Sequence, residues 1–272
     1  MYILGIDSST KKLSIAVSMG SKLLSEVGNS KESKHIVNII KYIDKALQMA
    51  GLTLGDIDIF GVNLGPGDFT GTRIGVSVTK TAAWIKEKPA YGFNALDIFA
   101  LGIAERYWTK VKRKILPDRQ VIIMAILDVR RNEVYFSFYN LKYGGCDKGS
   151  GFIIGDSGCS IIRIGKYCLI HKDKLVERFH EIYQNSVLRI PGANLEYSNP
   201  SVIIGGNAWA NYKNIILELL KSGSSFVLDK KITCNSARYV NLLANFYAEK
   251  RMRVKNLVPV YVREFIPFSG KV

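Results

Sequence analysis

The fold is decided by the stretch Gly65-Pro66-Gly67-Asp68-Phe69-Thr70-Gly71-Thr72-Arg73-Ile74-Gly75, which holds four glycines in eleven residues. Residues 57–64, just before it, alternate apolar with polar or small side chains and include β-branched ones, which predicts a strand. Residues 72–86, just after it, have the pattern of a helix. Because glycine permits positive φ and close backbone approach, the stretch predicts a tight joint between a strand and a helix.

Residue chemistry leaves two uses of this joint open. The first turn of a helix has unpaired backbone N–H groups, so the joint could hold an anion or a partner's carboxylate. It is not the usual phosphate loop, because no lysine follows Gly71, and the glycine spacing also misses the dinucleotide fingerprint. A tight turn packed against the sheet explains the glycines equally well.

The composition is typical of a folded globular chain. Its 272 residues and 30.4 kDa are enough for two domains of ordinary size. No uninterrupted apolar run reaches the ~18 residues of a membrane helix. The chain begins directly with a strand pattern at Tyr2, without the basic and apolar regions of a signal peptide. We therefore expect a cytoplasmic protein that does not contact the membrane.

Neither cysteine nor histidine predicts a metal centre. The four cysteines show no C-x-x-C spacing, which favours reduced cytosolic thiols over a disulfide framework or a zinc site. No pair among His35, His171 and His180 has the i, i+4 spacing that puts two ligands on one helical face. We expect neither a metal nor another cofactor.

The chain is strongly basic, with a net charge of +15 and a pI near 9.6. Basic clusters lie at residues 110–114, 130–131 and 250–255. Binding to phosphates would be favoured because it releases condensed counterions. A basic surface without a nucleic-acid role explains the clusters equally well, since no RNA-binding motif with interleaved aromatic residues accompanies them.

Asp7 and Asp128 each follow a strand that opens one half of the chain. Residues 3–6 run into Asp7 and residues 121–127 run into Asp128, and in each half a second strand returns. Later in the second half, a strand at 201–204 leads into glycines and a helix, as around Gly65. This pattern predicts an internal duplication. Each aspartate could hold a metal-bound phosphate or simply bond its own backbone.

Two predicted helices flank the first strands. In residues 33–50 the apolar positions follow the helical period, with Ser33 placed to cap and Gly51 to end the helix. The helix after the glycine stretch carries small residues, which let another helix or sheet approach closely and favour a tight interface. Local patterns further predict a helix at 94–104, a linker at 110–118 and, at 144–165 and 185–200, insertions or long loops. They also predict a helix at 236–250 capped by Ser236 and an extended segment at 259–263.

The paired strand, aspartate turn and returning strand resemble the duplicated ribonuclease-H-like domains of sugar kinases and actin. Within that superfamily, the glycine stretch closely resembles the G-P-G-S-F-T-G-[LVT]-R-I-G signature of the TsaB (YeaZ) family, and it departs chiefly at Asp68, usually Ser. Residues 6–10, 127–135 and 259–263 also resemble TsaB segments, the last two being I-D-A-R-x-x-E-V-Y and P-V-Y-L-R.

The resemblance implies an α/β fold of two ribonuclease-H-like domains, each a mixed β-sheet flanked by helices. Residues 1–110 would form the first domain, with the glycine loop and the dimerisation helices. Residues 111–272 would form the second, with insertions between about 142 and 200. The final helix, at about residues 236–250, is a candidate to pack back on the first domain.

The resemblance also implies a function. TsaB proteins are non-catalytic paralogues of TsaD in the machinery that makes threonylcarbamoyladenosine beside the anticodon of tRNAs reading codons that begin with A. They dimerise with themselves or with TsaD and recruit the ATPase TsaE, so tRNA contact would be indirect or weak. The implied partner-binding residues are His35, Asn38, Tyr42, Arg73, Val76 and Lys80.

Within this expectation the glycine loop has a structural role and fixes the second helix against the sheet. Its residues are Gly65, Pro66, Gly67, Phe69, Thr70, Gly71 and Gly75. Phe69 would be a packing anchor, and Arg73 would be a loop clamp or an interface charge. Asp7 and Asp128 would be a vestigial nucleotide site. The chain lacks the H-x-E-x-H metal ligands of a carbamoyl-transferring paralogue. Asp68 would satisfy the helix N–H groups and repel phosphate.

Three alternatives remain. The chain could be a nucleotide-dependent enzyme that uses Asp7 and Asp128 across an interdomain cleft to position magnesium and phosphate. It could be a metalloprotease, which the missing histidine pair disfavours. It could also bind tRNA directly through its basic clusters, with an affinity that falls steeply with salt.

Overall fold

The computed structural model describes residues 1–29, 35–111, 121–143, 152–154, 159–182, 201–220, 226–229, 236–252 and 257–261. In chain order these residues form β1 (Tyr2–Asp7), β2 (Ser14–Met19), β3 (Lys22–Gly28), α1 (His35–Ala50), β4 (Ile59–Asn63), α2 (Phe69–Ile85), β5 (Ala90–Phe93), α3 (Ala95–Val111), β6 (Val121–Asp128), β7 (Glu133–Tyr143), β8 (Phe152–Ile154), β9 (Cys159–His171), α4 (Leu175–Ile182), β10 (Ser201–Gly205), α5 (Trp209–Leu220), β11 (Phe226–Asp229) and α6 (Ala237–Glu249).

The strands form two sheets of matching topology. The first has the order β3-β2-β1-β4-β5, with β1 antiparallel to β2 and parallel to β4. The second has the order β8-β9-β7-β6-β10-β11, with β6 antiparallel to β7 and parallel to β10. Apart from β8 at one edge, each strand of the second sheet has a counterpart in the first. The predicted internal duplication is therefore present in the strand order.

The two sheets and the helices stack in layers, which follows from the alternation of side chains along each strand. Leu4 of β1 faces a core shared with α1 and α2, whereas its neighbour Ile3 faces a core shared with α3 and α6. In the second sheet, Ile123 of β6 faces that same central core, and Met124 faces α4 and α5. Helices α3 and α6 thus lie between the sheets, and α1 and α2 cover the outer face of the first sheet.

Several element boundaries differ from the sequence predictions. Helix α2 starts at Phe69, three residues earlier than predicted, and α3 continues to Val111, so the predicted linker begins inside a helix. The segment 144–165, predicted to be an insertion or a long loop, contains β8 and the first part of β9, so a loop is wrong for these residues. Residues 33, 112–118 and 185–200 lie outside the described part of the chain.

The predicted cap of the last helix is also wrong in its chemistry. Ser236 occupies the N-cap position of α6 without a side-chain cap hydrogen bond, and its hydroxyl donates to Glu26 at 2.7 Å instead. The N–H of Ala237 donates to Oγ of Ser14 at 2.9 Å. The helix is therefore capped by a residue of β2, which ties α6 to the first sheet.

Candidate functional site

The glycine loop, residues 64–68, joins the end of β4 to the start of α2. Gly65 adopts a positive φ of 88°, which glycine tolerates without steric cost. Asp68 is the N-cap of α2, and its Oδ1 accepts a hydrogen bond from the N–H of Gly71 at 2.7 Å. The carboxylate therefore satisfies the helix terminus from within the chain, as the sequence predicts, and leaves less positive potential for an external anion.

The loop packs directly onto the residues that follow β1. A Cβ placed on Gly67 would lie 1.9 Å from the carbonyl oxygen of Ser9, and one on Gly71 would lie 2.2 Å from the carbonyl oxygen of Ser8. The hydroxyl of Ser8 donates to the carbonyl of Gly71 at 2.8 Å. At these points not even a methyl group fits between the loop and the strand end, so the geometry favours a packed turn over a phosphate cradle.

Asp7 lies beneath this loop and is fully buried, at 0% exposure. Its carboxylate accepts hydrogen bonds from the N–H and the hydroxyl of Ser9, at 3.1 and 2.9 Å, and from Nδ2 of Asn63 at 3.0 Å. Burial raises the pKa of the Asp7 carboxyl above its usual range, and the hydrogen bonds from Asn63 and Ser9 only partly offset this. The arrangement favours the interpretation of Asp7 as a turn residue that bonds its own backbone.

Asn63 is a site residue that the sequence reasoning missed. Its Nδ2 also donates to the hydroxyl of Ser9 at 2.9 Å, and its Oδ1 accepts from the N–H of Gly65 at 2.8 Å. It therefore connects the Asp7 turn to the glycine loop. The available signal was an amide side chain at the end of an otherwise apolar buried strand, immediately before the glycines.

Asp128 occupies the matching position at the end of β6 and is half-buried. Its Oδ1 accepts hydrogen bonds from the N–H of Arg130 at 2.8 Å and from the hydroxyl of Tyr212 at 3.1 Å, and Asn211 donates to Oδ2. Burial and the Asp128 charge raise the pKa of Tyr212 to about 12. The N–H of Asp128 donates to Asn207 at 2.8 Å, so this aspartate also lies in a turn with an amide partner.

Comparison with known proteins places the chain in a family. The model of the family described as "TsaD: tRNA N6-adenosine threonylcarbamoyltransferase" matches residues 22–260. Proteins named "tRNA threonylcarbamoyladenosine biosynthesis protein TsaB" from Buchnera aphidicola and Bacillus subtilis are 28% and 29% identical to the chain over 137 and 144 residues. The chain belongs to the TsaD family, in its TsaB (YeaZ) branch.

The sequence matches to TsaB proteins are partial. They cover 50% and 53% of this chain, and 60% and 57% of the Buchnera and Bacillus proteins, so the chain spans less than two thirds of these relatives. The solved structure of YeaZ from Pseudomonas aeruginosa is 19% identical, with a TM-score of 0.64 over 96% of this chain and 99% of that one. It has the same fold, and the predicted α/β class with two mixed sheets flanked by helices is confirmed.

The structure distributes the expected partner-binding residues of this TsaB-branch chain between its surface and its core. Lys80 is exposed on α2, and Asn38 and Tyr42 are half-buried on α1. His35 lies in the first turn of α1. Val76 is 3% exposed and packs in the core between α2 and the first sheet. Its assignment to a partner face is wrong, because the side chain points inward from a helix whose outward positions are Arg73, Ser77 and Lys80.

Large apolar side chains remain exposed on the outer helices. Trp84 near the end of α2 is 80% exposed and Ile85 is 61% exposed. Ile40 and Met49 are exposed on α1, which packs beside α2. The sequence reasoning identified the small residues of α2 as interfacial but overlooked Trp84. The sequence does contain the feature that predicts its exposure: Trp84 lies four residues after Lys80 and seven after Ser77, on the same outward face of the helix.

Phe69 and Arg73 form a surface cluster with Tyr261 from the far end of the chain. The guanidinium carbon of Arg73 lies 3.8 Å from the centre of the Phe69 ring, and Nε donates to the hydroxyl of Tyr261 at 2.8 Å. The two rings are 5.8 Å apart. Arg73 is thus held as a clamp. Phe69 is 50% exposed, and it packs against Tyr261 and Arg73 at the surface.

The described residues contain no group of three histidine, cysteine, aspartate or glutamate side chains that could hold a metal ion. None of the helices in the described part of the chain is long and apolar enough to span a lipid bilayer.

Proposed function

We propose that this chain is a non-catalytic subunit of the machinery that adds a threonylcarbamoyl group to the adenosine beside the anticodon of tRNAs reading codons that begin with A. It binds a TsaD-type subunit, or a second copy of itself, through the outer face of α1 and α2, and it recruits a TsaE-type ATPase. The names of its relatives support the pathway. The proposal concerns a cytoplasmic complex whose two-domain subunit divides near residue 110.

The observation that supports the proposal is that the chain itself fills the space beyond Asp7 at the end of β1, which we call the closed strand end. An actin-like or kinase-like enzyme needs this position open to phosphate and metal, because the charge on the phosphates is neutralised there. In this chain the glycine loop lies against Ser9, the first turn of α2 lies against Ser8, and the Asp7 carboxylate accepts three hydrogen bonds from Ser9 and Asn63. A fold that has filled its phosphate position with its own backbone is better suited to binding a partner than to phosphoryl chemistry.

The outer helices supply a surface for that partner. Along α2 the outward positions Ser77 and Lys80 are flanked by Trp84, and the small side chain of Ser77 allows close approach of another helix. Exposed tryptophan, isoleucine and methionine on adjacent helices are typical of protein interfaces, where a few buried aromatic residues dominate the binding energy. Asn38 and Tyr42 on α1 would border the same surface, whereas Arg73 is held mainly within the chain.

The proposal is tested by size-exclusion chromatography with light scattering on the chain alone and mixed with its TsaD-type partner. Ser77→Arg places a long cation in the middle of the α2 face, and we expect it to weaken the complex at least tenfold while thermal unfolding stays unchanged. Asn214→Arg adds the same charge on the exposed side of α5 and is the matched control. Absence of any complex, or equal complexes with both variants, would contradict the proposed surface.

One observation favours a second candidate, a nucleotide-dependent enzyme. Asp128 is only half-buried, and Arg130 and Arg131 beside it are exposed. An aspartate and two guanidinium groups could receive a magnesium-bound phosphate from the second domain alone. This candidate requires saturable ATP binding by the isolated chain that is lost in Asp128→Asn.

A further inference from the structure

The surface cluster of Phe69, Arg73 and Tyr261 carries an inference beyond partner binding. We propose that it is a stacking platform that binds single-stranded nucleic acid directly, with Lys11 and Lys12 contacting the backbone phosphates. The identity of the RNA in the cell rests on the proposed function, whereas the binding itself does not.

The platform is built from two distant parts of the chain. The N–H of Val260 donates to the carbonyl of Leu64 at 2.7 Å, and Leu257 is buried in the core beneath α1 and α2. These two contacts hold the terminal segment against the glycine loop and bring Tyr261 to Phe69, the first residue of α2. The tyrosine is therefore placed by backbone pairing and burial, not by its own ring contacts alone.

The cluster presents flat groups to solvent in a fixed arrangement. Phe69 and Tyr261 are 50% and 48% exposed, and their rings are inclined at 48°. The Arg73 guanidinium carbon lies 3.8 Å from the centre of one ring and 5.5 Å from the centre of the other. The hydrogen bond from Nε to the Tyr261 hydroxyl orients the guanidinium. Aromatic rings and guanidinium planes are the groups on which unpaired bases stack.

Among the described residues near the platform, two exposed lysines outnumber the single carboxylate of Asp68, which favours a nucleic-acid backbone. Lys11 and Lys12 are exposed in the turn after Ser9, and the N–H of Asp68 donates to the carbonyl of Ser9 next to the platform. The Asp68 carboxylate accepts from Gly71 at the helix terminus. A chain with a net charge of +15 also attracts polyanions over longer distances.

Exposed planar groups beside lysines favour a single strand over two other binding partners. Duplex bases are stacked on one another and cannot reach the platform, so a duplex would use only the charges. An acidic protein segment would use the cations but would gain little from two half-exposed rings held in place by an arginine. Stacking and charge together are the combination typical of sequence-tolerant single-strand binding.

The test is fluorescence anisotropy of the full chain with a fluorescein-labelled 12-nucleotide single-stranded RNA, and with the same RNA annealed to its complement. Tyr261→Leu removes the ring while Tyr261→Phe keeps it, so the two variants form a matched pair. We expect Tyr261→Leu to weaken single-strand binding about tenfold, and Tyr261→Phe to stay within about threefold of the parent chain. Duplex binding should be the same for all three proteins.

The charge contribution is tested separately. We expect Lys12→Gln to lower the slope of log K against log salt by about 0.7 for the single strand, which is the value for one phosphate contact. Lys213→Gln on α5 is the control, and its slope should equal that of the parent chain.

Three results for Tyr261→Leu would overturn the proposal. The variant could bind the single strand as tightly as the parent chain does, or it could lose the same affinity for duplex and single strand. It could also bind RNA unchanged while its complex with the TsaD-type partner is weakened. The last result would make the cluster a protein contact. Trp84→Ala distinguishes the two proposals, because it lies at the other end of α2 from Arg73 and changes no charge. It should weaken the partner complex and leave the affinity for the single strand unchanged. If the parent chain forms no partner complex but Tyr261 still governs RNA binding, the inference stands and the proposed function fails.

Discussion

The two halves of the molecule share a topology but differ in how the aspartate at the end of their first strand is covered. In the first half, five residues, 64–68, join β4 to α2. Gly67 of this loop packs against Ser9, and Gly71 in the first turn of α2 packs against Ser8, so both contacts lie beyond Asp7. In the second half, three residues, 206–208, join β10 to α5, and Gly206 contacts Ile126 before Asp128 is reached. The longer joint buries its aspartate completely, and the shorter one leaves Asp128 half-buried.

The difference shows how a duplicated fold can lose an open strand end without losing its topology. Two additional residues in one joint let the backbone fill the space outside the carboxyl ends of the strands, where open α/β sheets bind ligands. The second strand end stays closer to solvent, and Asp128 is contacted there by Asn207 of the joint and by Asn211 and Tyr212 of α5. The following variants test this difference in burial between Asp7 and Asp128, and how much each contributes to the stability of the fold.

The largest effect is expected at two glycines, one in the first turn of α2 and one in the joint after β10, whose Cα atoms lie against the backbone of another segment. Gly71→Ala places a methyl group 2.2 Å from the carbonyl oxygen of Ser8, and Gly206→Ala places one 1.8 Å from that of Ile126. Because backbone must move in both cases, we expect each variant to lower the free energy of unfolding by about 2–3 kcal/mol. Gly55→Ala, whose Cβ would lie 3.5 Å from its nearest neighbour, is the control in urea unfolding. Equal stability of all three variants would show that the loops are not packed as described.

A smaller effect distinguishes the two aspartates. Asp7→Asn replaces a buried acceptor with an amide that points N–H groups toward the donors Ser9 and Asn63, so we expect a loss of about 2 kcal/mol. Asp128→Asn makes the same change in a half-buried position, where water can compensate, and should cost about 1 kcal/mol or less. The measurement is chemical unfolding of both variants at neutral pH. A larger loss for Asp128→Asn would reverse the comparison.

The pH dependence of stability gives a third test. Burial raises the folded pKa of Asp7 above its unfolded value of 3.8, so the native state binds this proton more tightly than the unfolded state does. The contribution of Asp7 therefore favours folding at low pH and is lost as pH rises from 3.8 through the raised folded pKa. The stability of the parent chain minus that of Asp7→Asn should fall across this window and then level off.

Asp56 provides a contrast of opposite sign. Hydrogen bonds from the hydroxyl and the N–H of Thr53 lower its pKa below 3.8, so its contribution is present above that value and is lost as pH falls. The free energy of unfolding of the parent chain minus that of Asp56→Asn should rise with pH. Differences of the same sign for both variants would contradict the buried placement of Asp7.

The smallest effect on stability is expected on the outer surface. Trp84→Ala removes a side chain that is 80% exposed, so the free energy of unfolding should change by less than about 0.5 kcal/mol. The same variant should weaken the complex with a TsaD-type partner, because tryptophan is the residue type most enriched among interface hot spots. A stability loss without a change in the complex would place Trp84 in the folding of the monomer instead.

Local pattern in the sequence was sufficient for much of this fold. The strand, glycine joint and helix around Gly65, and the matching strands around Asp7 and Asp128, follow from alternation and turn residues within a few positions of one another. The N-cap role of Asp68 was likewise local.

What the sequence did not provide depends on contacts between distant residues. The cap of α6 comes from Ser14, 223 positions away, and the Arg73 clamp depends on Tyr261, 188 positions away. The side chain of Val76 points inward because of the way α2 is rotated about its axis against the sheet. The sequence does not determine this rotation, because small residues lie on several sides of the helix. Asn63 was missed because its three hydrogen bonds need the loop and the Asp7 turn to meet first.

The most direct test of the closed strand end is isothermal titration calorimetry of the isolated chain with magnesium and ATP. Because the glycine loop fills the space above Asp7, we predict no saturable binding that depends on Asp7, so the parent chain and Asp7→Asn should give the same titration. Stoichiometric ATP binding by the parent chain that is abolished in Asp7→Asn, with the variant still folded, would contradict the account and establish the first strand end as a working nucleotide site.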